Sequence, residues 1–194
     1  MSDLHCPARV FLARHGEAEY ETPLLMNHGG SLTTAGRAQA RELGERLREE
    51  RVAHVYTSVS SRAVQTAELA AAALGTGVTV REGLVELALG DALGRPAGDG
   101  YFDEAMSAWL TGDVDAKAPG SESAAEIAAR VRPVLDELAD RHRGEAILVV
   151  THGGAIVATL AVLAFVPGRS THVPNGASYE LLRDADGWRS GPHV

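Results

Sequence analysis

The sequence contains one cysteine, Cys6, so it closes no internal disulfide and offers no cysteine pair for a zinc knuckle. It is short of positive charge. Its 18 basic residues stand against 26 acidic ones, a formal net charge of -8, which argues against a nucleic-acid partner gripped by a broad basic face. That balance does not exclude a small anionic substrate, because a few arginines dominate the potential inside a cleft. Long apolar stretches are also missing. The longest, Ala155 to Val166, is broken by Thr159 and falls well below the roughly 20 residues that cross a bilayer, so it reads as a buried core helix and no membrane association is expected. The opening Met1-Ser2-Asp3-Leu4-His5-Cys6-Pro7 has neither the basic nor the apolar region of a secretory leader, and a cytoplasmic location is expected.

What is present suits a globular chain. Its 194 residues, 45% hydrophobic and 23% charged, are enough to bury a core without disulfides or metal. Residues 1–194 are expected to form a single domain with a short lid or insertion around 90–120. Strand and helix signals alternate: a strand over 9–13, a helix over 34–50, a strand over 53–56, an alanine-rich helix over 61–74 closed by Gly75, and a short strand over 78–80. The glycine-rich stretch 88–121 reads as loop with one helix around 101–110. A helix follows over 123–141, capped by Ser121 or Ser123, with Pro133 expected to kink or break it. A near-continuous apolar strand over 146–150, the apolar helix and a strand over 178–182 complete the chain. Apolar central strands alternating with helices predict an α/β fold, a largely parallel sheet covered on both faces. An exposed apolar edge on the final strand would allow a homodimer.

Two places share one design, an apolar strand followed by one residue and His-Gly: Val10 to Gly16 and Ile147 to Gly154. In open α/β sheets ligands bind beyond the carboxyl ends of the strands, so His15 and His152 are expected to face one crevice. Glycines beside them let backbone approach a ligand. A lone histidine such as His54 or His142 is more often structural, but two at matching strand ends are not so easily dismissed. Arg14 and Arg62 give the crevice its charge, since a guanidinium presents a planar fork of donors to phosphate oxygens. Any one of the seventeen arginines is weak evidence by itself. The company of two histidines gives Arg62 its weight.

These segments resemble the histidine phosphatases, the branch that includes the cofactor-dependent phosphoglycerate mutases and many small phosphatases. Arg14-His15-Gly16-Glu17 is similar to the family's first signature, and Leu32-Thr33 with Gly36 and Gln39-Ala40 to the helix entry after it. Ser58 to Ala67 resembles the second arginine segment. Glu86 with Gly90 and Gly94 resembles the proton-donor segment, Gly120 to Ser123 with Arg130 a later helix start, and Thr151 to Gly154 the second histidine. The resemblance implies a phosphoglycerate mutase-like three-layer α/β/α sandwich with a mostly parallel sheet. It also implies that His15 is the nucleophile, that Arg14, Arg62 and His152 hold phosphoryl oxygens, and that Glu86 is the general acid, its pKa raised by burial or by the bound phosphate, with Glu82 its nearest rival. No metal and no cofactor are implied.

Two departures stand out. Where the family often has Thr and Asn, this chain has Ala18 and Glu21. Glu21, Asn27, His28, Gly16 and Gly153 are weaker candidates for substrate contact. The stretch 90–120 is short, acidic and glycine-rich, with only Arg95 and Lys117 as basic members, which suits hydrolysis better than a mutase that must shield its phosphoenzyme from water. The expected function is metal-independent hydrolysis of a small phosphorylated metabolite through phosphohistidine. The alternatives are mutase-type phosphoryl transfer and a non-catalytic phospho-ligand module.

Overall fold

The computed structural model describes residues 6–26 and 29–192. Six strands form one sheet in the order β5-β4-β6-β1-β7-β8: β1 is Ala8–Arg14, β4 Val52–Thr57, β5 Val78–Val80, β6 Ala146–Thr151, β7 Ser178–Asp184 and β8 Gly187–Ser190. The four strands from β5 to β1 are parallel, and β7 and β8 add an antiparallel hairpin. A two-residue ribbon, β2 (Ala18–Glu19) with β3 (Ser31–Leu32), lies apart from the sheet.

Strand periodicity sorts the core into two layers. Val10 and Leu12 of β1 and Ile147 and Val149 of β6 face one side, where they meet α4 (Ala124–Arg141) and α5 (Gly153–Leu163). The residues between them, Phe11, Ala13, Leu148 and Val150, face α1 (Thr34–Arg46) and α2 (Ser61–Leu74). Every residue of β6 is buried, as a central parallel strand demands. The two outer helices approach closely because their contact is small: a Cβ on Gly44 of α1 would lie 2.6 Å from the Ala70 carbonyl of α2. This is the expected three-layer sandwich.

The connections make the crevice. From β1 the chain runs to α1 on one face, and from its neighbour β6 to α5 on the other. Adjacent parallel strands that leave to opposite faces open a groove at their carboxyl ends. Arg14 and Thr151 are register partners at that edge, and Thr57 of β4 pairs with Val150 beside them.

Several sequence expectations need correction. α4 runs unbroken through Pro133: Ser123 and Glu126 form a capping box, and Val131, Leu135 and Leu138 bury both halves in one core. Pro133 and Ala129, whose carbonyl loses its helical partner, both face solvent, where water can satisfy the freed group. α1 stops at Arg46 and a separate 3-10 turn covers Arg48–Glu50; the apolar helix runs over 153–163 instead of 155–166. The strand over 178–184 is neither the last strand nor the sheet edge, because β8 pairs along it. The hairpin closes through the two residues Ala185 and Asp186, between the paired Asp184 and Gly187. Among the described residues, no helix is long and apolar enough to cross a membrane.

Residues 88–121 carry α3 (Asp103–Trp109), which packs on α5. Trp109 is buried there, its indole N–H donating to the Ala116 carbonyl at 2.7 Å. The two ends of the segment pinch together at glycines with positive φ, Gly90 (+53°) and Gly120 (+71°), and a Cβ on Gly90 would lie 2.1 Å from the Gly120 carbonyl carbon.

Candidate active site

His15 follows the last residue of β1, and its backbone N–H donates to the Thr151 carbonyl of β6 at 3.0 Å. The ring is 4% exposed. Its Nδ1 lies 2.7 Å from the Gly16 carbonyl, and Arg62 Nε donates to its Nε2 at 3.1 Å. A guanidinium can only donate, so Nε2 carries the lone pair and Nδ1–H donates to Gly16. Burial first, then His152, Arg62 and Arg14, push the His15 pKa down to about 3, against which the Gly16 bond works only partly. Near neutral pH the ring is uncharged, with its basic nitrogen beside an arginine.

Arg62, in the first turn of α2 and 5% exposed, is a three-armed bracket. Nε reaches His15, Nη2 donates to His152 Nδ1 at 3.1 Å, and Nη1 donates to the Gly29 carbonyl at 2.9 Å. Thr66, one turn further on, donates to the Arg62 carbonyl and accepts from the Gly16 N–H, so α2 also fixes the loop after His15. Tyr20 lies under the guanidinium, with Arg62 Cζ 5.5 Å from the ring centroid.

His152 caps β6 and is fully buried, its ring edge-on to His15 at 5.2 Å between centroids. Because Nδ1 accepts from Arg62, Nε2 carries the proton and donates to Ser58 Oγ at 2.9 Å. Burial, then the surrounding arginines, holds its pKa well below the ordinary value. The structure thus brings His152 to the cluster but places it behind Arg62, off the lining of the cleft. Arg14 does line the cleft. One Nη donates to the Val173 carbonyl at 2.5 Å, while Nε is buried without a hydrogen-bond partner among the described residues.

Glu86 enters the same cleft from the loop after β5, half-buried, at the start of α5. It accepts from the backbone N–H groups of Leu87 (2.9 Å), Gly154 (3.2 Å) and Ala155 (2.9 Å), a position favoured by the helix N-terminus. A Cβ on Gly154 would sit 2.3 Å from Leu87 Cδ2 and 2.8 Å from Glu86 Oε1, so the glycine leaves room for both side chains at the start of α5. Arg130 of α4 holds the segment from behind, donating to the carbonyls of Gly83, Val85 and Glu86 while its other donors grip both oxygens of Glu122. Burial pushes the Glu122 carboxyl up, yet the Arg130 and Ala88 bonds hold it net below its ordinary value. Glu82 is exposed and does not line the cleft.

Of the weaker candidates, Glu21 and Gly153 line the cleft. Gly16 does not: its N–H and carbonyl serve Thr66 and His15, and a Cβ there would lie 2.5 Å from the Gly36 carbonyl oxygen. Asn27 and His28 lie outside the described residues. Sequence reasoning missed Asn175, whose Nδ2 donates to the His15 carbonyl at 3.0 Å, and the loop before it, where Val173 holds Arg14. The turn-forming run Pro174-Asn175-Gly176 was the available signal. Among the described residues, no cluster of three His, Cys, Asp or Glu side chains is arranged to hold a metal ion.

Phosphoglycerate mutase-like protein 4 of Arabidopsis thaliana is 36% identical over 156 residues, 77% of this chain and 68% of its own. A mycobacterial glucosyl-3-phosphoglycerate phosphatase, solved with VO3, superposes with a TM-score of 0.78 at 28% identity, covering 94% of this chain and 96% of that one. Bacillus stearothermophilus YhfR gives 0.77 at 26% identity, with 95% of each chain covered. The profile of the histidine phosphatase superfamily (branch 1) matches residues 10–191. With two thirds or more of a 36% identical relative covered and nearly the whole chain under that profile, this protein belongs to the histidine phosphatase superfamily, branch 1.

Proposed function

We propose that the protein is a phosphomonoesterase that hydrolyses small phosphorylated metabolites through a phosphohistidine on His15, without a metal. The observation that carries this reading is a buried, neutral histidine whose unprotonated Nε2 is aimed at Arg62. Neutral imidazole needs no separate base to attack phosphorus. In the first step a phosphoryl oxygen takes over the Arg62 Nε–H from His15, the freed Nε2 lone pair forms the P–N bond, the ester P–O bond breaks, and Glu86 gives its proton to the leaving alkoxide. In the second step water attacks phosphorus, Glu86 takes the proton back, the P–N bond breaks, and inorganic phosphate leaves with His15 neutral again.

Positioning and electrostatics supply most of the acceleration in phosphoryl transfer. Arg62 and Arg14, which both line the cleft, provide the positive charge. His152 acts through Arg62 in this arrangement: Ser58 anchors its ring, and its Nδ1 fixes Arg62 Nη2. The relatives carry both phosphatase and mutase names, so the test must separate the two reactions. With p-nitrophenyl phosphate in EDTA, wild-type protein should release p-nitrophenol, and His15→Ala should lose at least about a thousandfold of that rate. Isomerisation of a phosphoglycerate, dependent on a bisphosphate primer and without free phosphate, would overturn hydrolysis in favour of a mutase. Equal activity in wild type and His15→Ala would overturn the phosphohistidine route.

A further inference from the structure

The cleft is far larger than a phosphoryl group, about 760 Å³, within the range of sites that enclose a whole small ligand. Its guanidinium charge is confined to one end. Among the described lining residues the only guanidinium groups are Arg14, at the end of β1, and Arg62, in the first turn of α2, and His172 is the sole further basic side chain apart from His15. Above them the wall is apolar: Leu25, Leu87, Leu89, Phe102, Met106 and Val173. Two carboxylates, Glu19 and Glu21, stand at the outer side.

Two segments distant in sequence build this wall together. Leu25 N–H donates to the Arg95 carbonyl at 2.8 Å, Gly94 N–H to the Leu25 carbonyl at 2.9 Å, and Ala97 N–H to the Pro23 carbonyl at 2.9 Å, around a bridge between Leu24 and Pro96. The pairing joins the loop after β2 to the segment that carries α3. It also leaves large apolar side chains in water at the mouth: Tyr20 is 47% exposed, Leu24 40% and Met26 50%. An apolar rim continuous with an apolar wall, ending on a phosphate-binding floor, is complementary to a ligand with one anionic end and an apolar body.

We infer that the leaving group is an apolar alcohol: the preferred substrate is a monophosphate of an alkyl or aryl alcohol bearing no second anionic group. This rests on the phosphomonoesterase reading for turnover, but the selectivity is a property of the cleft and is measurable by binding alone. A carboxylated or bisphosphorylated substrate would place a second negative charge against apolar wall and two glutamates, a desolvation cost against which the described lining residues outside the floor set only His172.

The test uses non-hydrolysable alkylphosphonates from methyl to hexyl, titrated calorimetrically into the wild-type protein. Each methylene added should tighten binding roughly threefold, so hexylphosphonate should bind on the order of a hundredfold more tightly than methylphosphonate. 3-Phosphonopropionate should bind more weakly than propylphosphonate. Leu24→Glu, at the exposed rim where folding is not at risk, and Met106→Glu, on the inner wall, should both flatten the slope. Affinity independent of chain length, or a preference for the carboxylated analogue, overturns the inference. Hydrolysis of the matching alkyl phosphates then judges the reaction separately. A steep binding slope without turnover refutes the phosphatase reading and leaves the apolar-ligand inference standing, whereas failure of every phosphonate to bind overturns both.

Discussion

The floor and the roof of the cleft are built by opposite means. On the floor, position is fixed by side chains: Arg62 bonds to His15 and His152, His152 to Ser58, and Asn175 to the His15 backbone, all at strand ends held in register by β1 and β6. In the roof, position is fixed by backbone: residues 23–25 pair with 94–97, and Gly90 meets Gly120, while the side chains are left to line the cleft. A network that immobilises its own donors suits chemistry, which tolerates little displacement. A backbone-paired roof can exchange its side chains without losing its course, which suits selectivity. The comparison predicts that floor substitutions depress all substrates alike and that roof substitutions re-rank them.

The sharpest way to break that division is Arg62→Ala. It removes three donors at once and leaves His15 and His152 without their shared partner. Affinity for vanadate or phosphate should fall by about 1.5–3 kcal/mol, the range for a charged hydrogen-bonding partner. The loss in kcat/KM should be the same for short and long alkyl phosphates. A loss confined to one substrate class, or unchanged vanadate inhibition, would show that Arg62 does not belong to the floor.

Acid should act on the floor as well. His15 has an ordinary pKa of 6.5 and about 3 in the fold. Between those values the unfolded chain binds a proton that the native state refuses, so stability falls as the pH drops from 6.5 towards 3. At pH 5 about 2 kcal/mol should be lost relative to pH 7.5 on account of His15 alone, and His152, shifted the same way, adds to the loss. Denaturant unfolding at the two pH values checks this, and His15→Gln should recover about the His15 share. Equal pH dependence in the variant would mean that His15 is not buried in its neutral form.

Much of the floor was legible in the sequence, because its chemistry needs particular residue types at strand ends: Arg14-His15-Gly16, Arg62 and Thr151-His152-Gly153 all announce themselves. The placement of His152 behind Arg62 was not, since residue type says nothing of which nitrogen of a ring is protonated or what it faces. Asn175 was invisible for a related reason: it works on a backbone carbonyl from a loop 160 residues away. The roof left almost no trace. Its pairing is between main chains, which any residue can make, so the segment could be described only as glycine-rich. Likewise α4 defeats the proline rule because tertiary packing on both sides of Pro133 outweighs one lost hydrogen bond at a solvated face.

Glu86 sits at the seam between floor and roof, and Arg130 offers the finest test of how it is held. Arg130 touches none of the cleft-lining atoms that would meet a phosphate; it grips the carbonyls of Gly83, Val85 and Glu86, and its partner Glu122 also accepts from the Ala88 N–H. A role in aiming Glu86 has a signature that general damage lacks. An alkyl leaving group must be protonated as it departs, whereas p-nitrophenolate leaves readily without a proton, so loosening the acid harms the first and spares the second. Arg130→Met should lower kcat for an alkyl phosphate about tenfold, near 1.4 kcal/mol, with KM little changed and with p-nitrophenyl phosphate turnover within about twofold of wild type. The double change Arg130→Met with Glu122→Gln should show the same pattern without leaving a carboxylate unpaired. Equal losses on both substrates would mean that Arg130 supports the fold at large, and the seam would then belong to the core and not to the acid.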